Sequence, residues 1–547
     1  MTRLGSSLAT FAAGALIGAL AVVEVVPPTT GQLATTQVGD IGTDVVGDGT
    51  GVLDPGGQAD GSLLAEGGSG AAVTGPGGVD TSVGDGVTDQ SGSGAAGPGT
   101  PGTPGQPGTP GTPGQPGQPG TPNGPAAPPA GVRCEAGANG GATDRGVTAS
   151  SIKLATTVVE SGIGSAFLGE TRFAMEAVKN QVNRAGGICG RQLQVTYRDD
   201  GWDTQLGAQF LRNFIAEGVF AIPVGPSSEG LNAVIEAGDF DKSETPVVGT
   251  DGLIERQYLN GSKAQQWVWP IAVATVSSAR IMAKDAFDRM KKAGVTPKAA
   301  DFSVVFDANY KFGSEGAEAF NQEVKRLTGA DIPGYAKNSG SCNQSYCGLQ
   351  AGQSSYSSQV QAFTEGRFVA LFLEPDTALK WMNDPNTPKA DQPRNGPVGF
   401  GYGAAQPLFT RSFGENCKAK CHTMVTWTGF KPFEEQYRSD PAVQAYVNDM
   451  AATCRSCDPN NQFTLGAYIG MQLLVDGLEA TGPNLTRRGL KAQLDRMKFR
   501  CDLCLKASLD YTPDNRFVAT TMQGWVIQYS GTFAGWKAGN IVPDPRF

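Results

Sequence analysis

The chain has 547 residues, with 76 Gly and 35 Pro placed so unevenly that its first quarter cannot build a hydrophobic core. A formal net charge of -9 and the absence of any Lys/Arg run of three remove the electrostatic attraction that dominates nucleic-acid binding, so no nucleic-acid partner is expected. With one histidine, His422, general acid-base chemistry has a single imidazole to draw on.

Met-Thr-Arg is followed by an apolar run from Leu4 to Val23, a positive start and a membrane-length core. Residues 1–26 therefore read as a signal peptide or a retained signal anchor, and the chain as exported, at the cell surface or secreted, and tethered to the membrane if uncleaved. From 27 to 132 the composition is that of a disordered Gly/Pro-rich stalk, with too little apolar surface to offset the entropy of ordering. Gly recurs at every third position from Gly99 to Gly120, the spacing a collagen triple helix needs, but eight triplets without a trimerisation motif favour an extended polyproline-II stalk over a collagen-like trimer.

Folded character begins near Cys134. Ile152 to Val159 reads as a buried strand, and Phe173, Ala177, Val178, Val182 and Ala185 recur at helical spacing until Gly186-Gly187. Leu193, Val195 and Tyr197 alternate as a second strand. A helix over 206–217, a strand over 219–224, a Pro-Ser-Ser turn, another helix and a strand over 246–249 follow. After Trp269-Pro270 a second cycle starts: helix 278–292, strand 302–306, helix 313–327 and strand 368–373. Alternation at this interval predicts an α/β fold of two Rossmann-like lobes with parallel central sheets. The lobes are expected over about 150–272 plus 405–500, and about 273–404 plus 505–547, with a ligand in the cleft between them.

Ten cysteines fall into four close pairs, Cys342/Cys347, Cys417/Cys421, Cys454/Cys457 and Cys501/Cys504, and leave Cys134/Cys189 as a long-range pair. In an exported chain an even count favours disulfides. A zinc site or a redox-active Cys-x-x-Cys pair, the latter making the chain a thiol oxidoreductase, are the competing readings.

The turn from Glu160 to Phe167 carries Gly162-x-Gly164, but Phe167 stands where a dinucleotide fingerprint needs its third glycine, and Asp199 lies too far along to hold a ribose. The hydroxyls of Ser161 and Ser165 can still face a cleft ligand. Gly225-Pro226-Ser227-Ser228 joins a strand to a helix, where hydroxyls and free amides suit a carboxylate, or simply cap the helix. Asp199 and Asp200 are adjacent on a strand end and so point to opposite sides. No nucleophile elbow, phosphate loop or His-Glu-x-x-His motif is present. Binding rather than catalysis is expected, with no cofactor and no metal.

Four segments together carry a family resemblance: Ile152 to Gly164, Asn183 to Arg191, Tyr197-Arg198-Asp199-Asp200, and Val224 to Ser228. Phe306-Asp307 with Phe312-Gly313, the stretch Ala467 to Ala480, and Thr481 to Thr486 extend it. They resemble the type I periplasmic binding proteins of the leucine/isoleucine/valine-binding family of ABC transporter substrate-binding proteins. The resemblance implies two lobes joined by three crossovers that close on a small-molecule ligand and deliver it to a membrane permease. It also implies that Ser227 and Ser228 receive a ligand carboxylate, completed by Thr250 and Gly252, that Phe312 packs on the ligand from the other lobe, and that Glu374 and Tyr402 add contacts there. Two departures bear on the ligand: Phe312 lacks a phenolic hydroxyl, and Asp251 places a charge inside the Thr250 loop. An amino acid, amide or carboxylate is the expected class, with a receptor or sensor ectodomain as the alternative role.

Overall fold

The computed structural model describes residues 139–162, 164–336, 341–387, 399–402, 424–529 and 533–547. The apolar segment 1–26, the stalk 27–132, Cys134, Cys417, Cys421 and His422 lie outside the described residues.

In the first lobe, strand β1 (Ser151–Val158) pairs in parallel with β2 (Gln192–Asp199), Leu154 opposite Val195. A parallel bridge from Leu154 to Ala221 brings in β3 (Ile222–Pro223), followed by β4 (Val247–Thr250) and β5 (Val268–Pro270). The spatial order is thus β2-β1-β3-β4-β5, all parallel. Seven of the eight β1 positions are buried, because helices cover both faces of a central parallel strand. On β2 only Leu193 is fully buried, so its alternation marks an edge. Helices α1 (Thr171–Arg184), α2 (Thr204–Ala216) and α3 (Ser228–Glu236) form the crossovers of this sheet. Asp203 starts α2 by accepting from the Leu206 amide at 2.7 Å.

The second lobe begins with α4 (Thr275–Lys292), β6 (Phe302–Asp307), α5 (Lys311–Thr328), β7 (Tyr346–Leu349), β8 (Phe368–Phe372), α6 (Pro375–Asn383), β9 (Gly399–Tyr402) and β10 (Val425–Thr428). The chain then returns to the first lobe as α7 (Pro441–Thr453), α8 (Gln462–Thr481) and α9 (Arg487–Leu494). It ends in the second lobe as the hairpin β11 (Thr521–Tyr529) and β12 (Phe533–Pro543). The second sheet runs β12-β11-β10-β9-β8-β6-β7, with Cys342–Asn343 as an added antiparallel edge strand; the hairpin is antiparallel too.

The chain passes between the sheets three times: after Pro270, after Thr428 and before Thr521. The last two passages lie later than the expected positions near 405 and 505, since Val425–Thr428 pairs inside the second sheet and the segment up to Arg516 still packs on the first.

Three disulfides, Cys342–Cys347, Cys454–Cys457 and Cys501–Cys504, are formed, and Cys189 is disulfide-bonded as well. Cys342–Cys347 staples the exposed edge of the second sheet. The loop holding Cys501–Cys504 clasps the second crossover: Lys431 donates its amide to Leu503 O at 2.8 Å, and Leu505 donates to Gly429 O at 2.9 Å. Among the described residues no helix is long and apolar enough to cross a membrane.

Candidate functional site

The carboxyl ends of β1, β3 and β4 face those of β6 and β8 across a cleft, the position where open α/β sheets hold ligands. At the end of β3 the Gly225 amide donates to Pro223 O at 2.7 Å, so Val224, with φ of 61°, sits at the centre of a three-residue γ-turn. A β-branched residue at positive φ is a strained arrangement that persists only where the surroundings enforce it. Here it aims Val224 and Pro226 into the cleft.

Ser227 occupies the N-cap of α3 without making a side-chain cap bond. Its hydroxyl lies near the Asp200 carboxylate, yet Ser227 Oγ and Asp200 Oδ2 are both buried without a hydrogen-bond partner. Burial pushes the Asp200 carboxyl up to about 6, against the opposing hydrogen bond from the Trp202 amide. Asp199, next along β2, points the other way and accepts from the amides of Glu160, Gly201 and Ser161. Burial works against its charge, but those amides and the Ser161 hydroxyl hold its carboxyl below the ordinary value.

Ser228 donates its hydroxyl to Asp251 Oδ2 at 2.6 Å. Asp251 Oδ1 accepts from the Leu253 amide and from Gln257 Nε2, both at 3.3 Å. Burial pushes Asp251 up to about 6 while these three bonds pull it down. Thr250 Oγ1 is buried and unpartnered. Gly252 has φ of 66°, and a Cβ there would fall 2.0 Å from the Tyr258 hydroxyl, so no other residue fits. That hydroxyl donates to Ala272 O at 2.8 Å, which ties the Asp251 loop to the first crossover.

The opposite wall is the start of α5. Phe312 stacks on Tyr310 with ring centroids 5.8 Å apart, and Tyr310 stacks on Trp202 of the first lobe at 5.5 Å and 9°. Trp202 meets Phe167 edge-on at 4.9 Å, and Phe167 meets Phe463 at 5.6 Å. Polar contacts also cross the cleft. The Lys311 amide donates to Glu229 at 3.0 Å, Lys311 Nζ pairs with Glu236, and the Glu255 amide donates to Glu315 at 2.8 Å. The lobes are therefore in contact at the rim of the cleft, in a closed arrangement.

Glu315 is pushed up to about 7, chiefly by burial, with the Glu255 amide and Lys311 opposing and the Glu255 and Glu229 carboxylates adding to it. A carboxyl whose folded value lies above its ordinary 4.5 adds stability that is complete below about pH 4.5 and is lost as pH rises through about 7. Asp200 and Asp251 act in the same direction. Glu315→Gln is expected to keep the bond from the Glu255 amide and to flatten the fall in melting temperature between about pH 4.5 and 7. Melting curves across that range, parent against variant, check it; parallel curves would remove Glu315 as a cause.

Beneath the aromatic rim lies a cavity of about 90 Å³. Ile271 to Val273 and Gly429-Phe430 contribute from the first two crossovers, and Trp427, Thr428 and Met522 from the strand ends that adjoin the second and third, so every passage between the lobes reaches its border. Val224, Pro226, Gly249, Asp251 and Leu253 form the first-lobe wall, and Gln462, Phe463, Gly466 and Ala467 close it from α8.

Of the residues singled out from sequence, Ser227, Ser228, Thr250, Asp251 and Gly252 are brought together on one wall, and Phe312 stands on the facing one. Ser161 is exposed beside Asp199, and the Ser165 hydroxyl donates to Gly162 O at 2.8 Å, so both serve their own turn. Glu374 caps α6, its oxygens accepting from the Thr377 amide at 2.6 Å and the Asp376 amide at 2.8 Å, and is 1% exposed. A carboxylate so engaged belongs to the helix start rather than to a ligand. Tyr402 ends β9, in register with Leu371 and Thr426. Sequence reasoning missed Trp202, Tyr310, Trp427, Phe430, Phe463 and Met522. The positive φ of Trp202, 66°, has no local sequence signature, and the others meet only after the crossovers are placed.

A family model described as a periplasmic binding protein matches residues 151–381 and 399–531. Solved structures share the fold. A fatty acid ABC transporter substrate-binding protein from Thermomonospora curvata is 16% identical with a TM-score of 0.56, over 74% of this chain and 94% of that one. The branched-chain amino acid transporter substrate-binding protein LivJ from Streptococcus pneumoniae, in complex with isoleucine, is 15% identical with a TM-score of 0.53, over 72% and 100%. A solute-binding protein of an ABC transporter from R. palustris, in complex with 4-hydroxybenzoate, is 14% identical with a TM-score of 0.55, over 72% and 97%. A search of curated proteins found no match. At these identities the likeness establishes the fold and leaves the ligand open.

Proposed function

The chain belongs to the periplasmic binding protein family, and from that membership we propose that it is the extracytoplasmic solute-binding component of an ABC-type importer. It captures a small polar or amphipathic solute by closure of its two lobes and delivers it to a membrane permease. The observation that carries this reading is the cavity bordered by all three crossovers, because a hinge rotation must change its volume and its access together. The aromatic and polar contacts at the rim, Trp202 on Tyr310 and Lys311 on Glu229, supply a latch that can form and break without disturbing either core. The sequence of 1–26 adds export, and that of 27–132 a spacer between membrane and lobes. Solutes named for the solved relatives include a fatty acid, isoleucine and 4-hydroxybenzoate, so this fold accommodates an apolar body bearing a charged head.

The test is a thermal-shift screen of the purified chain against amines, amino acids, amides and carboxylic acids. A solute at a hundred times its dissociation constant is expected to add about 2.7 kcal/mol of stability. In the same series Trp202→Ala is expected to weaken the solute by roughly fivefold, since an aromatic contact of about 1 kcal/mol that exists only in the closed state is lost. A screen in which no solute class stabilises the chain, or a preparation that turns a substrate over, would defeat the proposal. Solute binding by a chain with no permease partner would instead mark a sensor ectodomain.

A further inference from the structure

The charge pattern of the cleft bears on which solute it admits. Asp251 is the single charged side chain among the described residues that border the cavity; no Lys or Arg borders it. The Ser228 hydroxyl already donates to Asp251 at 2.6 Å, while Ser227 Oγ and Thr250 Oγ1 on the same wall have no partner. The remaining bonds to Asp251 come from the Leu253 amide and Gln257, both neutral and both long at 3.3 Å. No ion pair reaches this carboxylate among the described residues. Asp200 stands behind Ser227, Glu229 opens α3, and Glu315 faces Glu229 from the other lobe, all of them carboxyls and none a counter-charge for Asp251. Lys311, a cation at the contact between the lobes, pairs with Glu236.

We infer that the cleft takes an amphipathic organic cation, its ammonium on Asp251 and its apolar body among Ile271, Val273, Trp427, Phe430 and Met522. Two physical reasons carry this. A carboxylate brought beside Asp251 would meet a like charge in a water-poor site, with the proton of the hydroxyl that touches Asp251, that of Ser228, already committed, which disfavours it strongly. An ammonium there would supply the missing ion-pair partner, while Trp427 and Phe430 cover the apolar body. The inference rests on solute capture by lobe closure and narrows it to a charge class that differs from the fatty acid and 4-hydroxybenzoate named for solved relatives.

The experiment uses matched probes on one skeleton: isopentylamine, isovalerate and isopentanol; benzylamine, benzoate and benzyl alcohol; hexylamine, hexanoate and hexanol. Each is titrated calorimetrically into the chain and into Asp251→Asn, whose fold is checked by its unliganded melting curve. The expected result is binding of an amine with no binding of its carboxylate, and a loss of about 100-fold in amine affinity in Asp251→Asn. Binding of a carboxylate in preference to its amine would overturn the charge assignment and leave solute capture standing. Amine affinity unchanged in Asp251→Asn would overturn the role of Asp251. If no member of any set binds, and leucine does not either, capture itself fails along with the inference.

Discussion

Gly470→Ala is expected to destabilise the chain by about 3 kcal/mol, the opposite sign to the roughly 1 kcal/mol gain that the same change brings in an exposed helix. Gly470 lies inside α8, where helix propensity alone favours alanine. Its backbone, however, faces that of Gly249 at the centre of β4: a Cβ on Gly470 would fall 2.4 Å from Gly249 O and 2.9 Å from its Cα. The reverse substitution meets the same obstacle, with Gly470 Cα 2.3 Å from a Cβ on Gly249, whose φ of 84° already excludes most side chains. Both partners are main chain, so no rotamer change relieves the clash and the helix must move away from the sheet. Because Gly249 borders the cavity and leads into Thr250 and Asp251, that movement is expected to weaken solute binding as well. Urea unfolding of the parent and Gly470→Ala measures the cost. A variant as stable as the parent would show that strand and helix can part without loss.

Arg516→Met is expected to cost about 3 kcal/mol, for a different reason. Arg516 is fully buried and makes bonds in three directions: Nε donates to Val268 O at 3.1 Å, Nη1 to Thr512 O, and Nη2 to Asp495 at 2.7 Å. Its guanidinium also lies 5.0 Å over the Trp269 ring. Burial alone lowers its proton affinity, and Asp495 works in the opposite direction. Removing the guanidinium leaves buried acceptors unsatisfied, which costs more than the intact pair contributes. Asp495 retains Lys491, which is why the low end of the usual range for a broken buried pair is expected. Arg516→Lys is expected to recover little, since one ammonium cannot reach three acceptors in a plane. Melting curves of both variants decide this; a loss below about 1 kcal/mol in Arg516→Met would place the network at the surface in energetic terms. The position also matters for closure, since Arg516 holds the chain against β5 just before the third passage between lobes.

The strands and helices from 151 to 373 were legible because each is written in its own neighbours. Apolar runs such as Ile152 to Val158 imply a strand covered on both faces, and the spacing of Phe173, Ala177 and Val178 implies one helical stripe. Legibility fell off after Leu373. The strands Val425–Thr428 and Thr521–Tyr529 fall where composition gives no boundary, and the antiparallel hairpin at the C-terminus alternates too weakly to announce its partner. The serine turn at 227–228 was identifiable as a polar joint between strand and helix. What its hydroxyls do was not: Ser228 bonds to Asp251, 23 residues further on, and Ser227 remains unpartnered. Glu374 looked available for a ligand because nothing in the residue alone reveals that two amides behind it are waiting for a cap.

Taken alone, the amino-acid order determined the α/β alternation, the two-lobed build, the acidic balance and the lack of any Lys/Arg run of three, all of which follow from local periodicity and simple counting. Only the tertiary structure decided that three crossovers enclose one cavity, that Trp202 meets Tyr310, and that Asp251 stands there with no cation paired to it among the described residues. The reason is one of range. Hydrogen bonding and apolar period act over a few residues and leave a trace in the chain, whereas Glu229 and Lys311 are 82 positions apart and Glu255 and Glu315 are 60 apart. Their meeting depends on how two separately packed cores are held by three connecting segments, and no short stretch of sequence carries that angle.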